Sequence, residues 1–227
     1  MHGPGQTMIR QILKLLSKDN LQVQALSVCY EMLDLCHAMV RASVETLRHS
    51  DTGDVDVDIY EMDRRLNSFE RDVRRKVMTH LSLGNTADIA SGLTLVSIVI
   101  DLERIGDYTK NIYDLAINHP GRLVVGEHAE EVEAIERAAL ENFDRTVTAF
   151  KQGDIDESRK LMKDYKVDIS SQCRTLEVLL VSGKTSLDVS AAVGLALYLR
   201  FLKRISAHSR NLISSLVNPV DRIGYSE

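Results

Sequence analysis

The 227 residues fit one large domain or two small ones, and 44% apolar residues can supply packed cores. The formal charge of −5 gives no global attraction to nucleic acid, and no apolar run approaches the ~18–20 residues that cross a bilayer. Only three prolines, no tryptophan and abundant Leu, Ala, Val, Arg, Glu and Asp are the composition of long helices rather than sheets.

Residues 1–20 read as a leader (Met1 to Gly5) and a short helical lead-in near Met8 to Leu16. A first helix is predicted from Gln22 to His49, with apolar or small seats at Leu26, Cys29, Leu33, Cys36, Val40, Ser43 and Leu47. Alternating steps of three and four are the packing seam of a helix bundle. Asp51-Thr52-Gly53-Asp54 is a turn signal. The second segment, about Val55 to Leu83, seats Ile59, Met62, Leu66, Phe69, Val73 and Val77, and Gly84-Asn85 breaks it. The third runs from Thr86 to Asn118, with Asn85 or Thr86 as its cap. His119-Pro120-Gly121 is the clearest boundary, because proline cannot continue a helix. A linker leads to Gly126, and three more segments follow at about Glu127 to Lys151, Asp154 to Val181 and Ser186 to Val217.

The third and sixth segments match at an offset of one hundred residues. The seats Leu95, Ile98, Leu102, Ile105, Thr109, Ile112 and Ala116 answer to Leu195, Tyr198, Leu202, Ile205, Ser209, Leu212 and Leu216. Arg104 with Arg204 and Asn111 with Asn211 are polar matches that periodicity alone does not require. Self-similarity at a fixed period indicates a duplicated unit. The expected fold is all-α: two tandem three-helix bundles over 21–119 and 127–218.

Glu103 and Asp107 stand four apart on one side of the third helix, and Asp114 continues the line. Two readings stay open. Close carboxylates repel unless a cation joins them, and their oxygens suit hard ions. A solvated acidic stripe neutralised by Arg104 and Lys110 is the other, and spacing alone favours it. Gly106 costs the helix ~1 kcal/mol relative to Ala, which points to a close approach by some neighbour.

His37 and His80 lie near seam positions with no second ligand at metal spacing and read as satisfied structural histidines; His208 reads as exposed. Cys29, Cys36 and Cys173 are odd in number and widely spaced, which argues against a disulfide framework or a zinc site and for a reducing compartment. No signal-peptide core opens the chain, so a soluble, cytoplasmic protein is expected. No G-x-S-x-G or GxxxxGK[ST] occurs, and enzymatic chemistry is not indicated. Arg71, Arg74, Arg75 and Lys76 form a basic cluster that reads as a solvated face or as a surface for an acidic partner or anionic membrane.

The run Asp101-Leu102-Glu103-Arg104-Ile105-Gly106-Asp107, followed by Asn111-Ile112, resembles the D-L-E-R-I-G-D word of the PhoU family, and the likeness extends from about Leu21 to Asn218. The resemblance implies a duplicated three-helix bundle and a non-enzymatic, negative regulator of phosphate uptake. Such proteins couple a phosphate ABC transporter to a sensor histidine kinase, are peripheral at the membrane through the transporter, and are commonly homodimeric. It also implies a metal cluster of iron or zinc on paired E/DxxxD motifs. Glu103 and Asp107 supply one pair, and Asp63 and Asn67 stand where the second pair belongs on the second helix, with the neutral Asn67 in place of a carboxylate. In the second bundle Lys203 and Ala207 replace the carboxylates, while Asp164 and Asp168 keep a DxxxD whose register disagrees with the apolar seats Tyr165, Ile169 and Leu176. The alternatives are a module regulating a sodium–phosphate or potassium transporter and a metal-binding helix-bundle protein. Di-iron enzymes of the latter kind need Glu-x-x-His pairs that this sequence lacks.

Overall fold

A computed structural model describes residues 20–52, 57–83, 86–167 and 169–225, and the regular structure among them is helical throughout. The lead-in segment, the Gly53-Asp54 turn and the Gly84-Asn85 break lie outside the described residues. Among the described residues the helices are, in order, α1 Leu21–His49, α2 Ile59–Ser82, α3 Ile89–Asn118, α4 Ala129–Gln152, α5 Ile155–Val167, α6 Ile169–Val181 and α7 Val189–Val217. The last four lie in the second half, and α5 and α6 flank residue 168, which lies outside the described residues. At 29–30 residues, α1, α3 and α7 each reach ~44 Å.

Local chemistry sets the helix ends. Asn20, Asp58 and Asp188 cap α1, α2 and α7 by accepting from Gln22 N, Glu61 N and Ala191 N, at 2.8–2.9 Å. Gly153 closes α4 in the left-handed conformation at φ +63°. The start of α3 differs from expectation. Thr86 lies within a 3-10 turn, Thr86–Asp88, and Asp88 occupies the cap position. Its carboxylate does not cap the helix but bonds His80 Nε2 at 2.8 Å.

All the predicted seats of α1, α3 and α7 are buried, as are Ile59, Leu66, Val73 and Val77 of α2; Met62 and Phe69 are half-buried against the same core. Tyr165, Ile169 and Leu176 are buried too, so the apolar register governs α5 and α6. The duplication is visible in detail. Ile105 and Ile205 are both core residues, and each carbonyl accepts the hydroxyl one turn on, Thr109 Oγ1 at 2.7 Å and Ser209 Oγ at 2.8 Å.

The two bundles join chiefly through α3 and α7. Asp101 of α3 bonds His208 of α7, and Tyr108 of α3 packs on Phe201 of α7. Since 101 corresponds to 201 and 108 to 208, the helices cross antiparallel about a local two-fold, which the stacking of Tyr108 on His208 marks. His208, read from the sequence as exposed, is a correction: its side chain is only 11% exposed. Its own bundle leaves it off the seam, and it is α3 of the other bundle that covers it. The linker is tied down as well, with Leu123 and Val125 buried and Leu123 N donating to Leu47 O at 2.8 Å.

Candidate functional site

The seam residues Leu66 and Val73 of α2 and Leu102 and Ile105 of α3 hold these two helices together, and the positions beside them form an acidic rim. Asp63 and Glu70 come from α2, Glu103 and Asp107 from α3, and the side chains of Asp63, Glu70 and Glu103 are each only 13–14% exposed. Gly106 permits this closeness. A Cβ there would stand 2.3 Å from Leu66 Cδ1, so the neighbour that its sequence position foretold is the buried leucine of α2.

The rim carries its own cations. Lys110 Nζ lies 2.9 Å from Asp63 Oδ2 and 3.3 Å from Asp107 Oδ1, bridging the two helices. Arg104 reaches Asp107 at 3.1 Å and Glu103 at 3.4 Å, and Arg74 takes Glu70 at 2.7 Å. Burial and then the charge of Asp107 raise the Glu103 carboxyl above its ordinary pKa; Arg104 opposes them, and Glu70 and Asp63 add to the rise. Burial pulls the Lys110 amine down, but its hydrogen bond to Asp63 and the charges of Asp63 and Asp107 hold it above its usual value. Asn67 turns inward to its own helix, donating to the Asp63 carbonyl at 3.0 Å. Asp114 accepts from Tyr60 OH at 2.6 Å.

The structure therefore brings Asp63, Glu103 and Asp107 to one surface and leaves Asn67 bonded to its own backbone. That geometry does not fit the metal cluster that the family word implies. Among the described residues no three His, Cys, Asp or Glu side chains are placed to hold an ion. The position between the two helices that a cation would take is held by an ammonium group. Glu70, seven residues after Asp63, is a member that reading motifs in pairs overlooks.

In the second bundle Lys203 and Ala207 stand at the matching places, and Asp164 gives its carboxylate to Arg145 of α4 at 2.8 Å. Asp168 lies outside the described residues. His37 and His80 are satisfied by Asp144 and Asp88 at 2.7 and 2.8 Å. All three cysteines are free and buried, and burial pushes the thiols of Cys29 and Cys173 up to about 12. Of the basic cluster, Arg74 and Lys76 pair within α2 while Arg71 and Arg75 are exposed. None of the described helices is long and apolar enough to cross a membrane.

Residues 29–116 match the PhoU domain family. The fold is similar to that of PhoU from Pseudomonas aeruginosa, with a TM-score of 0.75 and 22% identity over 88% of this chain and 97% of that one. It is also similar to the phosphate transport system regulatory protein PhoU from Streptococcus pneumoniae, with a TM-score of 0.69 and 15% identity over 93% of this chain and 95% of that one. No curated protein matches the sequence. The first bundle of this chain thus matches the PhoU domain model over residues 29–116, and the chain as a whole has a fold similar to that of the PhoU proteins.

Proposed function

We propose that the protein regulates phosphate transport by binding, without turnover, to a phosphate ABC transporter, to its sensor histidine kinase, or to both. The observation that carries this reading is the PhoU domain of the first bundle within a chain that keeps the PhoU fold across both halves. The surface supports a docking role. Ile89, Leu93 and Ile100 leave an exposed apolar stripe on α3, and Val189, Val193 and Leu197 leave one on α7, with 89 and 93 matching 189 and 193 across the duplication. Apolar side chains exposed in a row on a helix mark interaction surfaces. Homodimerisation and contact with a membrane through the transporter belong to the same proposal. His37, His80, His208, Asp63 and Lys110 are each engaged in an ion pair or a hydrogen bond to a partner of opposite character, which suits a binding role for these residues.

The test is capture of partners by the tagged protein from phosphate-replete and phosphate-starved cells. Transporter or kinase subunits are expected in the replete state, with recovery lowered by Leu93→Asp or Val193→Asp while the helical circular dichroism stays unchanged. Recovery of neither class in either state would sink the proposal. Recovery of a sodium–phosphate or potassium carrier instead would move the regulator to that system.

A further inference from the structure

The acidic rim of the first bundle has a reversed image in the second. One hundred residues on from Glu103, Asp107 and Lys110 stand Lys203, Ala207 and Arg210, so two carboxylates are gone and two basic groups flank a small side chain. Here a cavity of about 200 Å³ opens where α7 meets the end of α5 and the start of α6, and Lys203, Arg204, Arg210, Ser206, Ser170 and Tyr165 line it. A water occupies ~30 Å³ of liquid, so the space takes a five-atom oxyanion together with a few waters.

Two polar atoms of the lining side chains, Ser206 Oγ and Arg210 Nε, are buried and without a hydrogen-bond partner among the described residues. Ser206, 8% exposed, leaves its hydroxyl unbonded, and Arg210 leaves Nε unbonded although its Nη2 donates to Gly224 O at 3.0 Å. Buried polar groups are nearly always satisfied, so an unmet hydroxyl and guanidinium N–H beside one cavity call for a ligand that accepts hydrogen bonds. Charge selects its sign. Among the described residues three cations line the space, and the carboxylate of Glu177, 3.8 Å from Lys203, offsets one of them. Arg204 is already oriented, donating from Nε to Tyr108 OH at 3.2 Å, with Nη2 3.1 Å from His208 Nε2. We infer that this cavity is a binding site for a phosphate-sized oxyanion, held by Lys203 and Arg210 and hydrogen-bonded by Ser206. A metal ion is repelled there, and an apolar ligand leaves the same donors unmet. Guanidinium groups match tetrahedral oxyanions in geometry as well as in charge. The site stands on its own chemistry, whether or not the regulatory reading holds.

Calorimetric titration of the full-length protein with inorganic phosphate tests it. Saturable binding at one site per chain is expected, weakening as salt rises. Arg210→Gln should weaken it by about tenfold or more, the loss of one charge-assisted hydrogen bond, and Lys203→Glu should abolish it. Arg137→Gln, on the exposed face of α4, should leave it unchanged. Because Arg210 also holds Gly224, Ser206→Ala supplies a gentler variant: it removes only an unmet buried hydroxyl, so the phosphate-free protein should melt no lower than wild type while phosphate binds severalfold more weakly. Competition by O-phosphoserine shows that the site also takes a phosphoryl group, and its failure to compete restricts the site to the free ion; both support an oxyanion site. Absence of saturable heat, or equal phosphate affinity in wild type and all three cavity variants, overturns it.

Discussion

Gly106 is the residue at which helix propensity and packing oppose each other. Alanine would favour the helix by ~1 kcal/mol. Its Cβ, however, would meet Leu66 Cδ1 at 2.3 Å in a region where Leu66 is 1% exposed, and overpacking costs ~1–3 kcal/mol. Gly106→Ala should therefore lower stability in chemical denaturation, and should cost measurably less in a Leu66→Val background, which shortens the obstructing side chain. Equal costs in the two backgrounds would show that the close approach is not the constraint. Leu102, fully buried beside it, should lose ~2–5 kcal/mol on substitution by alanine; a loss under ~1 kcal/mol would contradict the register. Glu127 makes a contrasting case at the surface. Its carboxylate accepts from Ser186 Oγ at 2.6 Å, Ser186 N at 2.8 Å and Thr185 Oγ1 at 3.2 Å, and these bonds, Ser186 first, hold its pKa below the ordinary value. A depressed folded pKa stabilises above the unfolded value of ~4.3 and stops doing so as pH falls through the folded one. Glu127→Gln should melt below wild type at neutral pH, and the two melting curves should converge in acid. A gap that persists in acid would mean that charge is not what the loop binds.

At the scale of elements, the α2–α3 contact joins an apolar seam to a charged rim, and the two were unequally legible in the sequence. The seam was readable because burial follows the helical repeat: Leu102, Ile105 and Thr109 announce themselves by spacing. The rim was half readable. Glu103 and Asp107 share a helix, so their proximity is local, but the bridge from Lys110 to Asp63 spans 47 residues and depends on how two helices are rotated against each other. Spacing within one helix fixes no such rotation. The basic cavity was hidden for a related reason: the replacement of carboxylates by Lys203 and Ala207 was visible as a loss, whereas the unmet Ser206 and Arg210 appear only once neighbours are in place. The rim makes a prediction of its own. Lys110→Ala removes the ammonium between Asp63 and Asp107 and leaves them with Glu103 and Glu70 at close quarters. Stability at neutral pH should fall by ~1–2 kcal/mol, between the values for exposed and buried pairs. Zinc or ferrous iron should then raise the melting temperature of the variant more than that of wild type, because a divalent ion can take the vacated place. If wild type responds to these ions as strongly as the variant, Lys110 is not the resident counter-ion and a metal cluster regains its case.

Across the whole molecule, the question is whether two bundles behave as one body, and the contacts between α1 and the second half bear on it. Arg48 and Glu136, each under a tenth exposed, meet at 2.6 Å. The same Glu136 oxygen accepts from Tyr198 OH at 2.8 Å, and Arg48 also donates to the carbonyl of Leu123 in the linker. One ion pair thus ties together α1, the linker, α4 and α7. On the far side of the junction, Asp101 accepts from Asn211 at 2.8 Å and meets His208 at 2.7 Å. Sequence could not pair these groups, since Arg48 and Glu136 are 88 residues apart and the duplication supplies no matching pair. Removing one partner of a buried pair costs ~3–5 kcal/mol because the other is left charged without compensation. Arg48→Met should therefore lose about that much, and the double variant Arg48→Met/Glu136→Gln should recover most of it, since the glutamine amide can still meet Tyr198 without a buried charge. The partition between bundles is read at the same time by following unfolding with one probe in each half. Coincident transitions in wild type and in the double variant mean that the bundles are held as one cooperative unit by their apolar junction. Transitions that separate in the double variant mean that the ion pair is what couples them, and with it any signal passing from the acidic rim of one half to the basic cavity of the other.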